Sequence, residues 1–319
     1  MRDNLSDLIL FKDLTEDGKK ILCKTLAKVY TKQYLNSASF QKLLKTGETV
    51  RKIELGLPEN FTIGGYFYLR YGWIPDEKFK VFTNEGRYTA VWLDIKVGLD
   101  SFFDKAIIDT MNYVAKRPDD LVFSCVFYPD FENQKINIHL YHLHPDKGWE
   151  KIATFTYSST QDFNLLSPYE RGQIGEALGT IFAKGLLISD RFVFFPELNN
   201  DPLFVENCVF PRRSEMIKIS RESWIPDAIF QIFSNPDASE LKYEFTPKKV
   251  VYIEVKTGKN AKLERYQKDD IFQYSKLQDT IVLLCEILHD SSTNTIKLTL
   301  KKMLDGEWKT IKTFNYSDF

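Results

Sequence analysis

The clearest strand pattern in the chain lies at residues 250–256. Apolar and polar side chains alternate there, in the order Val251, Tyr252, Ile253, Glu254, Val255 and Lys256. Such alternation predicts a β-strand with one buried face, and it places residues two apart on the same side of the sheet. We therefore expect Glu254 and Lys256 to lie side by side on the polar face.

A second strand pattern, at residues 91–98, repeats the first. It contains Asp94 and Lys96, which are spaced like Glu254 and Lys256, and Gly98 follows Lys96 by two positions as Gly258 follows Lys256. The tetrad Trp-Ile-Pro-Asp precedes both strands, at 73–76 and at 224–227. These pairs of similar segments indicate an internal repeat.

Further matches between the two halves are colinear with these motifs. Glu254 follows Asp94 by 160 positions, and matching residues recur 159 or 160 positions apart: Cys125 and Cys285, Ile136 and Ile296, Trp149 and Trp308, and Phe155 and Phe314. Upstream the spacing becomes 152, as between Leu26 and Leu178. Convergent strand composition is the alternative, because Ile, Phe and Tyr recur in any sheet. Two identical tetrads favour the repeat. We predict an α/β protein in which one fold occurs twice, at residues 1–160 and 161–319.

Each copy is expected to be a mixed central sheet flanked by helices. Ser167, Pro168 and Glu170 form an N-cap, first-turn proline and capping-box pattern that predicts the first helix of the second copy. Thr15 and the apolar residues after it predict the corresponding helix of the first copy, and a short helix is expected near 37–44. The predicted closing strands are 121–128, 135–143, 149–157, 280–288, 295–303 and 308–316. The short connection at 161–166 suggests an intrachain pseudo-dimer.

Composition and charge restrict the functional classes only loosely. The chain has 319 residues, enough for two domains, and its net charge is −1, so a nucleic-acid partner would need a local basic surface. Four widely spaced cysteines and the lack of a signal-peptide core or an 18-residue apolar run predict a cytoplasmic protein that does not enter a membrane. No Walker loop, dinucleotide loop or CxxC motif supports ATP- or NAD-dependent activity.

The polar residues at the two motifs can meet in one place. Asp227 begins its own apolar segment, so a neighbouring strand could bring its carboxylate beside Glu254. Carboxylate oxygens are the ligands that Mg²⁺ prefers. With Lys256 next to them, these groups predict a magnesium site with an adjoining ammonium group.

These residues resemble the PD-(D/E)xK nuclease superfamily, here as Pro226-Asp227 and Glu254-Val255-Lys256. The resemblance extends to Glu176 on a helix before the strands and to Gln267 on the helix after them. It covers roughly the C-terminal half, and the N-terminal half looks like a diverged second copy. A solvent-exposed helix glutamate is the alternative interpretation of Glu176. The resemblance implies a restriction-endonuclease-like fold in tandem.

The resemblance also implies roles for these residues. Asp227, Glu254 and the backbone carbonyl of Val255 would hold Mg²⁺, for which Mn²⁺ would substitute, and Glu176 would coordinate through water. Lys256 would act beside the attacking water, and Gln267 would orient that water or a phosphate.

The N-terminal copy contains a possible second site formed by Asp76, Asp94 and Lys96. Lys24 aligns with Glu176 and Ile107 aligns with Gln267, so this copy lacks two supporting residues. We therefore expect the C-terminal copy to be the main active site and the N-terminal copy to be a weaker site or a structural partner.

The expected function is magnesium-dependent endonuclease cleavage of DNA, with duplex DNA as the partner. Alternatives are an RNA nuclease and an inactive nucleic-acid-binding or scaffolding protein on a nuclease fold. The chain would act as a pseudo-dimeric monomer or as a homodimer. An unidentified activator or partner protein is a further candidate partner. Candidate DNA-binding residues, for which solvated surface is the alternative, are Arg212, Arg213, Lys259, Lys262, Arg265 and Lys268.

Overall fold

A computed structural model divides the chain into two compact units. The N-terminal unit is built on residues 19–159, and the C-terminal unit comprises residues 1–18 and 160–318. The structure describes residues 8–56, 73–97, 105–130, 132–133, 135–157, 163, 166–189, 191–198, 203–208, 224–234, 249–290, 292 and 295–317. In this part of the chain, no helix combines the length and the apolar character needed to cross a membrane.

The first strand of the chain, β1 (Leu8–Leu10), belongs to the C-terminal unit. A 3₁₀ turn at Phe11–Asp13 follows it, and helix α1 (Glu16–Leu35) then begins near the boundary between the units. The Thr15 hydroxyl accepts a hydrogen bond from the Gly18 N–H at the start of α1, in the manner of an N-cap. The helix predicted after Thr15 is therefore confirmed.

The N-terminal unit contains one mixed sheet. Its remaining elements are α2 (Ala38–Gln41), β2 (Val50–Gly56), β3 (Glu77–Thr83), β4 (Tyr88–Val97), α3 (Lys105–Ala115), β5 (Asp120–Asp130), β6 (Lys135–His144) and β7 (Gly148–Tyr157). The six strands lie in sequence order, β2-β3-β4-β5-β6-β7. Only β4 and β5 pair in parallel, because helix α3 connects them as a crossover; the other neighbours are antiparallel.

The C-terminal unit contains a second mixed sheet. Its further elements are α4 (Pro168–Ser189), α5 (Arg191–Phe194), a 3₁₀ turn at Pro196–Leu198, β8 (Leu203–Cys208), β9 (Ala228–Ser234), β10 (Lys249–Thr257), α6 (Arg265–Tyr274), β11 (Thr280–Asp290), β12 (Thr295–Leu304) and β13 (Glu307–Ser317). The strand order is β1-β13-β12-β11-β10-β9-β8. Strands β10 and β11 are parallel, as are β1 and β13, and the other pairs are antiparallel.

Helix α4 begins where the sequence predicted. The Ser167 N–H donates to the Glu170 carboxylate at 2.8 Å, and the Glu170 N–H donates to the Ser167 hydroxyl at 3.3 Å. These reciprocal bonds form a capping box. The six predicted closing strands are also confirmed, each to within two residues at either end.

Strands β2 to β7 and strands β8 to β13 follow the same order across their sheets, and β1 adds a seventh strand to the C-terminal sheet. Strands β4 and β5 pair Asp94 with Ser124, and β10 and β11 pair Glu254 with Leu284, so both partners move by 160 positions. The β6–β7 pair has an irregularity after Leu140, and the β12–β13 pair has one after Leu300, again 160 positions later. The same backbone pairing is therefore built twice.

Side-chain packing repeats as well. Tyr30 contacts Phe155 with ring centroids 5.1 Å apart, and Phe182 contacts Phe314 at 5.0 Å. A buried cluster joins the tetrad tryptophan to the helix between the parallel strands in each unit. The N-terminal cluster includes Trp73, Met111, Val114 and Val122, and the C-terminal cluster comprises Trp224, Ile271, Tyr274 and Val282.

Candidate active site

Asp227 and Glu254 are brought together by the pairing of β9 with β10. Pro226 has no N–H for a ladder hydrogen bond, and regular strand pairing begins just after it. The Asp227 N–H donates to the Ile253 carbonyl at 2.8 Å, and the Asp227 carboxylate accepts from the Val255 N–H at 2.6 Å. Asp227 is thereby held against the residues on either side of Glu254.

Glu254 is buried, with 2% of its surface exposed, and side-chain donors surround its carboxylate. Its Oε2 accepts from the indole Nε1 of Trp224 at 2.6 Å. Its Oε1 lies 2.6 Å from Lys256 Nζ and accepts from Gln267 Nε2 at 2.9 Å. A buried charge requires such partners, because burial removes its hydration. The expected side-by-side placement of Glu254 and Lys256 is confirmed.

Gln267 links the start of helix α6 to strand β10. Its Oε1 accepts from the Glu264 N–H at 3.0 Å within the capping box of the helix, while its Nε2 reaches Glu254. The amide is therefore fixed at both ends. The structure places Gln267 on the glutamate itself; orientation of a water molecule or phosphate by Gln267 stays a prediction.

Helix α4 packs very closely against strand β10 because two glycines face the strand. A Cβ atom at Gly175 would lie 2.1 Å from Thr257 Oγ1, and one at Gly179 would lie 2.9 Å from Val255 Cγ2. Glu176, which is half-buried, follows the first of these glycines. This close approach brings Glu176 within electrostatic range of Asp227.

The carboxylates of the site interact unfavourably with one another. Burial, together with the charges of Glu254 and Glu176, raises the pKa of Asp227 to about 8, against smaller opposing effects of the Val255 N–H hydrogen bond and of Lys256. Asp227, Glu254 and Glu176 supply three carboxylates to this group, and Lys256, which contacts Glu254, supplies one ammonium group. When all are ionised, the group has an excess of two negative charges, which one divalent cation would balance.

The oxygen atoms at this site are of the type that Mg²⁺ prefers, but they are not arranged as a formed metal site. Within the ranges that the structure describes, no group of three or more His, Cys, Asp and Glu side chains is placed to hold a metal ion. Both Glu254 oxygens are occupied by protein donors. The negative excess and the oxygen atoms of Asp227, Glu254, Glu176 and the Val255 carbonyl nevertheless fit the chemistry of a hard divalent cation.

The N-terminal unit repeats the core of this arrangement with Asp76, Asp94 and Lys96. The Asp76 carboxylate accepts from the Ile95 N–H at 2.8 Å, and Asp94 accepts from Trp73 Nε1 at 3.1 Å. Lys96 Nζ lies 3.2 Å from Asp94 Oδ2. The pKa of Asp94 is raised above its usual value, chiefly by burial, although Lys96 and the Trp73 hydrogen bond act against this shift.

Two positions around the N-terminal acids differ from their C-terminal counterparts. Lys24 stands where Glu176 would, and its Nζ lies 3.8 Å from Asp76 Oδ1. Ile107, in place of Gln267, packs against the hydrophobic cluster that contains Trp73. An ammonium group and an alkyl chain thus replace a carboxylate and an amide.

The proposed DNA-binding residues fall into two groups. Lys259, Lys262, Arg265 and Lys268 are exposed and follow strand β10, between its end and the first turn of α6. Arg212 and Arg213 lie outside the described residues. The basic segment after β10 is thus available to solvent.

The tryptophans of the two tetrads form hydrogen bonds with the acids of their units, a role that the sequence motifs did not predict. The indole N–H groups of Trp224 and Trp73 donate to Glu254 and Asp94, respectively. The backbone N–H of Trp224 also donates to the buried Asp270 at 2.9 Å. The recurrence of the complete tetrad was the available signal. It indicates that tryptophan and aspartate serve the same site.

Comparison with known proteins adds no family assignment. No protein-family model matches the chain, and no curated protein matches its sequence.

Proposed function

We propose that the chain is a metal-dependent nuclease of the PD-(D/E)xK superfamily, and that it hydrolyses phosphodiester bonds of duplex DNA in its C-terminal unit. The supporting observation is the meeting of Asp227, Glu254 and Lys256 on paired strands, with Glu176 supplied by the helix packed on them. A random Asp and a random Glu-x-Lys would have no reason to converge in this way.

Each residue has a chemical task in this proposal. Asp227, Glu254, Glu176 and the Val255 carbonyl would hold Mg²⁺ or Mn²⁺, which neutralises charge on the scissile phosphate. Lys256 Nζ donates to an oxygen on which negative charge develops. Trp224 and Gln267 are positioning residues, because they act by fixing the Glu254 carboxylate.

We propose in addition that the two units are copies of one restriction-endonuclease-like fold, produced by tandem duplication. The common strand order, the register shift of 160 positions and the recurring aromatic contacts support this origin. The intrachain pseudo-dimer stays a prediction.

A nucleic acid is the favoured substrate class on electrostatic grounds. Its backbone attracts basic side chains irrespective of sequence. Lys259, Lys262, Arg265 and Lys268 expose four positive charges close along the chain to the Glu-x-Lys strand. They compensate locally for a net charge of −1. This arrangement favours a phosphodiester polymer over a small neutral substrate.

An inactive nucleic-acid-binding or scaffolding module is the second candidate. It is favoured by the engagement of both Glu254 oxygens and by the lack, in the described part of the chain, of three grouped metal-ligand side chains. In that case the acids and Lys256 would serve as a buried polar network that stabilises the fold.

A substrate panel separates these functions. Supercoiled plasmid, single-stranded DNA and RNA would each be incubated with protein in Mg²⁺, Mn²⁺ or EDTA. We expect plasmid cleavage that EDTA and Glu254→Gln abolish, whereas the exposed control Glu307→Gln retains it. Preferential RNA cleavage would identify a ribonuclease. DNA binding measured by fluorescence anisotropy, with no cleavage in any metal, would favour the inactive module.

A further inference from the structure

The acidic residues of the N-terminal unit face lysines from helix α1. Lys24 Nζ lies 3.8 Å from Asp76 Oδ1 and 3.6 Å from Glu77 Oε1, and Lys28 Nζ lies 2.8 Å from the same Glu77 oxygen. Lys96 pairs with Asp94. Within this connected group of described residues, three ammonium groups balance three carboxylates.

The C-terminal unit differs in charge at three of these six positions. Lys24 corresponds to Glu176 and Lys28 to Thr180, each at a separation of 152 positions. Glu77 follows Asp76 as Ala228 follows Asp227. On the helix a carboxylate is replaced by an ammonium group, and on the strand a carboxylate is gained. The substitutions are mutually compensating, because the added lysines contact the added glutamate.

We infer that Lys24 takes the place of a divalent cation in the N-terminal unit, so that Asp76 and Asp94 form an ion-paired structural site that binds no metal. Exchanging glutamate for lysine changes the local charge by two units, which equals the charge of the absent ion. Ile107 reinforces the difference, because its alkyl chain cannot donate to Asp94 as Gln267 does to Glu254.

A single metal site would determine the product of the reaction, and this consequence rests on the proposed nuclease function. A chain that acts as a monomer with one metal site breaks one strand in each catalytic event. Supercoiled plasmid would therefore give nicked circles first, and linear DNA would accumulate only after a second encounter. The binding of metal itself does not depend on that function.

Mn²⁺ binding tests the inference directly. The background Asp227→Asn/Glu254→Gln removes the C-terminal acids, and isothermal titration with Mn²⁺ alone then reports on the N-terminal unit. We expect no binding while Lys24 is present and about one ion per chain after Lys24→Glu, with or without Ile107→Gln. Adding Asp94→Asn should abolish the gain. Circular dichroism and thermal melts confirm that each variant is folded.

A parallel titration covers the case in which the double background does not fold. In the otherwise unchanged chain, Lys24→Glu should add about one Mn²⁺ to the number bound by the starting protein. Binding that Asp94→Asn removes while Lys24 is intact would overturn the inference. A folded Lys24→Glu variant with no gain, alone or with Ile107→Gln, would also overturn it.

Failure of the proposed function gives a different result. If the starting protein binds no Mn²⁺ and cuts nothing, but Lys24→Glu gains an ion that Asp94→Asn removes, the proposed nuclease fails and the inference stands. If plasmid is cut and Asp94→Asn removes a second Mn²⁺ from the starting protein, the nuclease stands and the inference fails.

Discussion

The indole N–H of Trp224 donates to the Glu254 carboxylate across 2.6 Å, although 30 positions separate the two residues. Trp73 and Asp94 repeat this relationship at 3.1 Å in the other unit. The indole has one donor and no acceptor, and a buried tryptophan needs a partner for it. In both units the tetrad therefore supplies a rigid donor and an aspartate to the same strand.

Trp224→Phe should lower both the free energy of unfolding and the rate of plasmid cleavage, and the two effects can be measured independently. The phenyl ring retains most of the apolar packing, whereas Glu254 loses a donor, and such charged hydrogen bonds contribute about 1.5–3 kcal/mol. We expect a comparable loss of unfolding free energy and a fall in plasmid cleavage of roughly 10-fold or more. Urea denaturation and nicking rates measure the two effects.

Trp73→Phe is the matched control for that substitution. It should also destabilise the protein, because Trp73 is buried and donates to Asp94. Cleavage per folded molecule should remain unchanged. Equal losses of cleavage in the two variants would contradict a division of roles between the units.

Gly175→Ala should displace helix α4 from the sheet. The added Cβ would lie 2.1 Å from Thr257 Oγ1, so either the helix or the strand must move. Overpacking of this kind costs about 1–3 kcal/mol. Movement of the helix would carry Glu176 away from Asp227, and we expect cleavage to fall with stability. Urea denaturation and the nicking assay check both results.

Gly172→Ala, on the same helix, provides the comparison. A Cβ at this position meets nothing within 4 Å, and alanine favours a helix over glycine by about 0.5–1 kcal/mol. The variant should be as stable as the starting protein or more so, with undiminished cleavage. A Gly175→Ala protein that behaves like Gly172→Ala would show that the close helix–strand contact is unimportant.

Local patterns were sufficient to predict much of the fold. The capping box at Ser167 and Glu170 involves neighbouring residues, and the apolar run at 280–288 is visible in a short window. The acid-x-Lys motifs and the tetrads also indicated the acids and lysines of both sites. Each of these signals arises within about ten consecutive residues.

Other features depend on contacts between distant segments. Strand β1 has only three residues and pairs with β13, near the other end of the chain, so no local pattern revealed it. The prediction of a boundary at residue 160 placed residues 1–18 in the first copy, whereas they belong to the C-terminal unit. The donors to Glu254 and the contact of Lys24 with Asp76 depend on tertiary packing that side-chain spacing alone does not define.

The titration of Asp227 should make the stability of the metal-free protein depend on pH. Burial and the charges of Glu254 and Glu176 raise its pKa from 3.8 to about 8. Between these values the folded protein retains a proton that the unfolded chain has released. The unfolding free energy should therefore fall as pH rises from about 4 to about 8. Urea denaturation in EDTA across that range measures the slope.

Asp227→Asn should flatten this part of the pH dependence, because the titrating group is gone. Divalent cations compete with the proton for the same carboxylate, so Mn²⁺ should stabilise the starting protein more at pH 8 than at pH 6. The same pH slope in the starting protein and in Asp227→Asn would contradict the assignment of the proton to this site.

The lysines of the two acid-x-Lys motifs provide the most direct test of a nuclease centre in the C-terminal unit. Lys256 Nζ lies 2.6 Å from Glu254 Oε1, and Lys96 Nζ lies 3.2 Å from Asp94 Oδ2. Methionine in place of either lysine retains the apolar stem and removes the charge. Loss of a group that stabilises developing charge typically costs about 100-fold to 1,000-fold in rate.

The deciding measurement is the initial rate at which supercoiled plasmid is nicked in Mg²⁺ by the starting protein, Lys256→Met and Lys96→Met. We predict that Lys256→Met loses at least about 100-fold in rate while remaining folded, and that Lys96→Met nicks at the starting rate. A folded Lys256→Met protein with full activity, or an equal loss in Lys96→Met, would contradict the assignment of catalysis to the C-terminal unit.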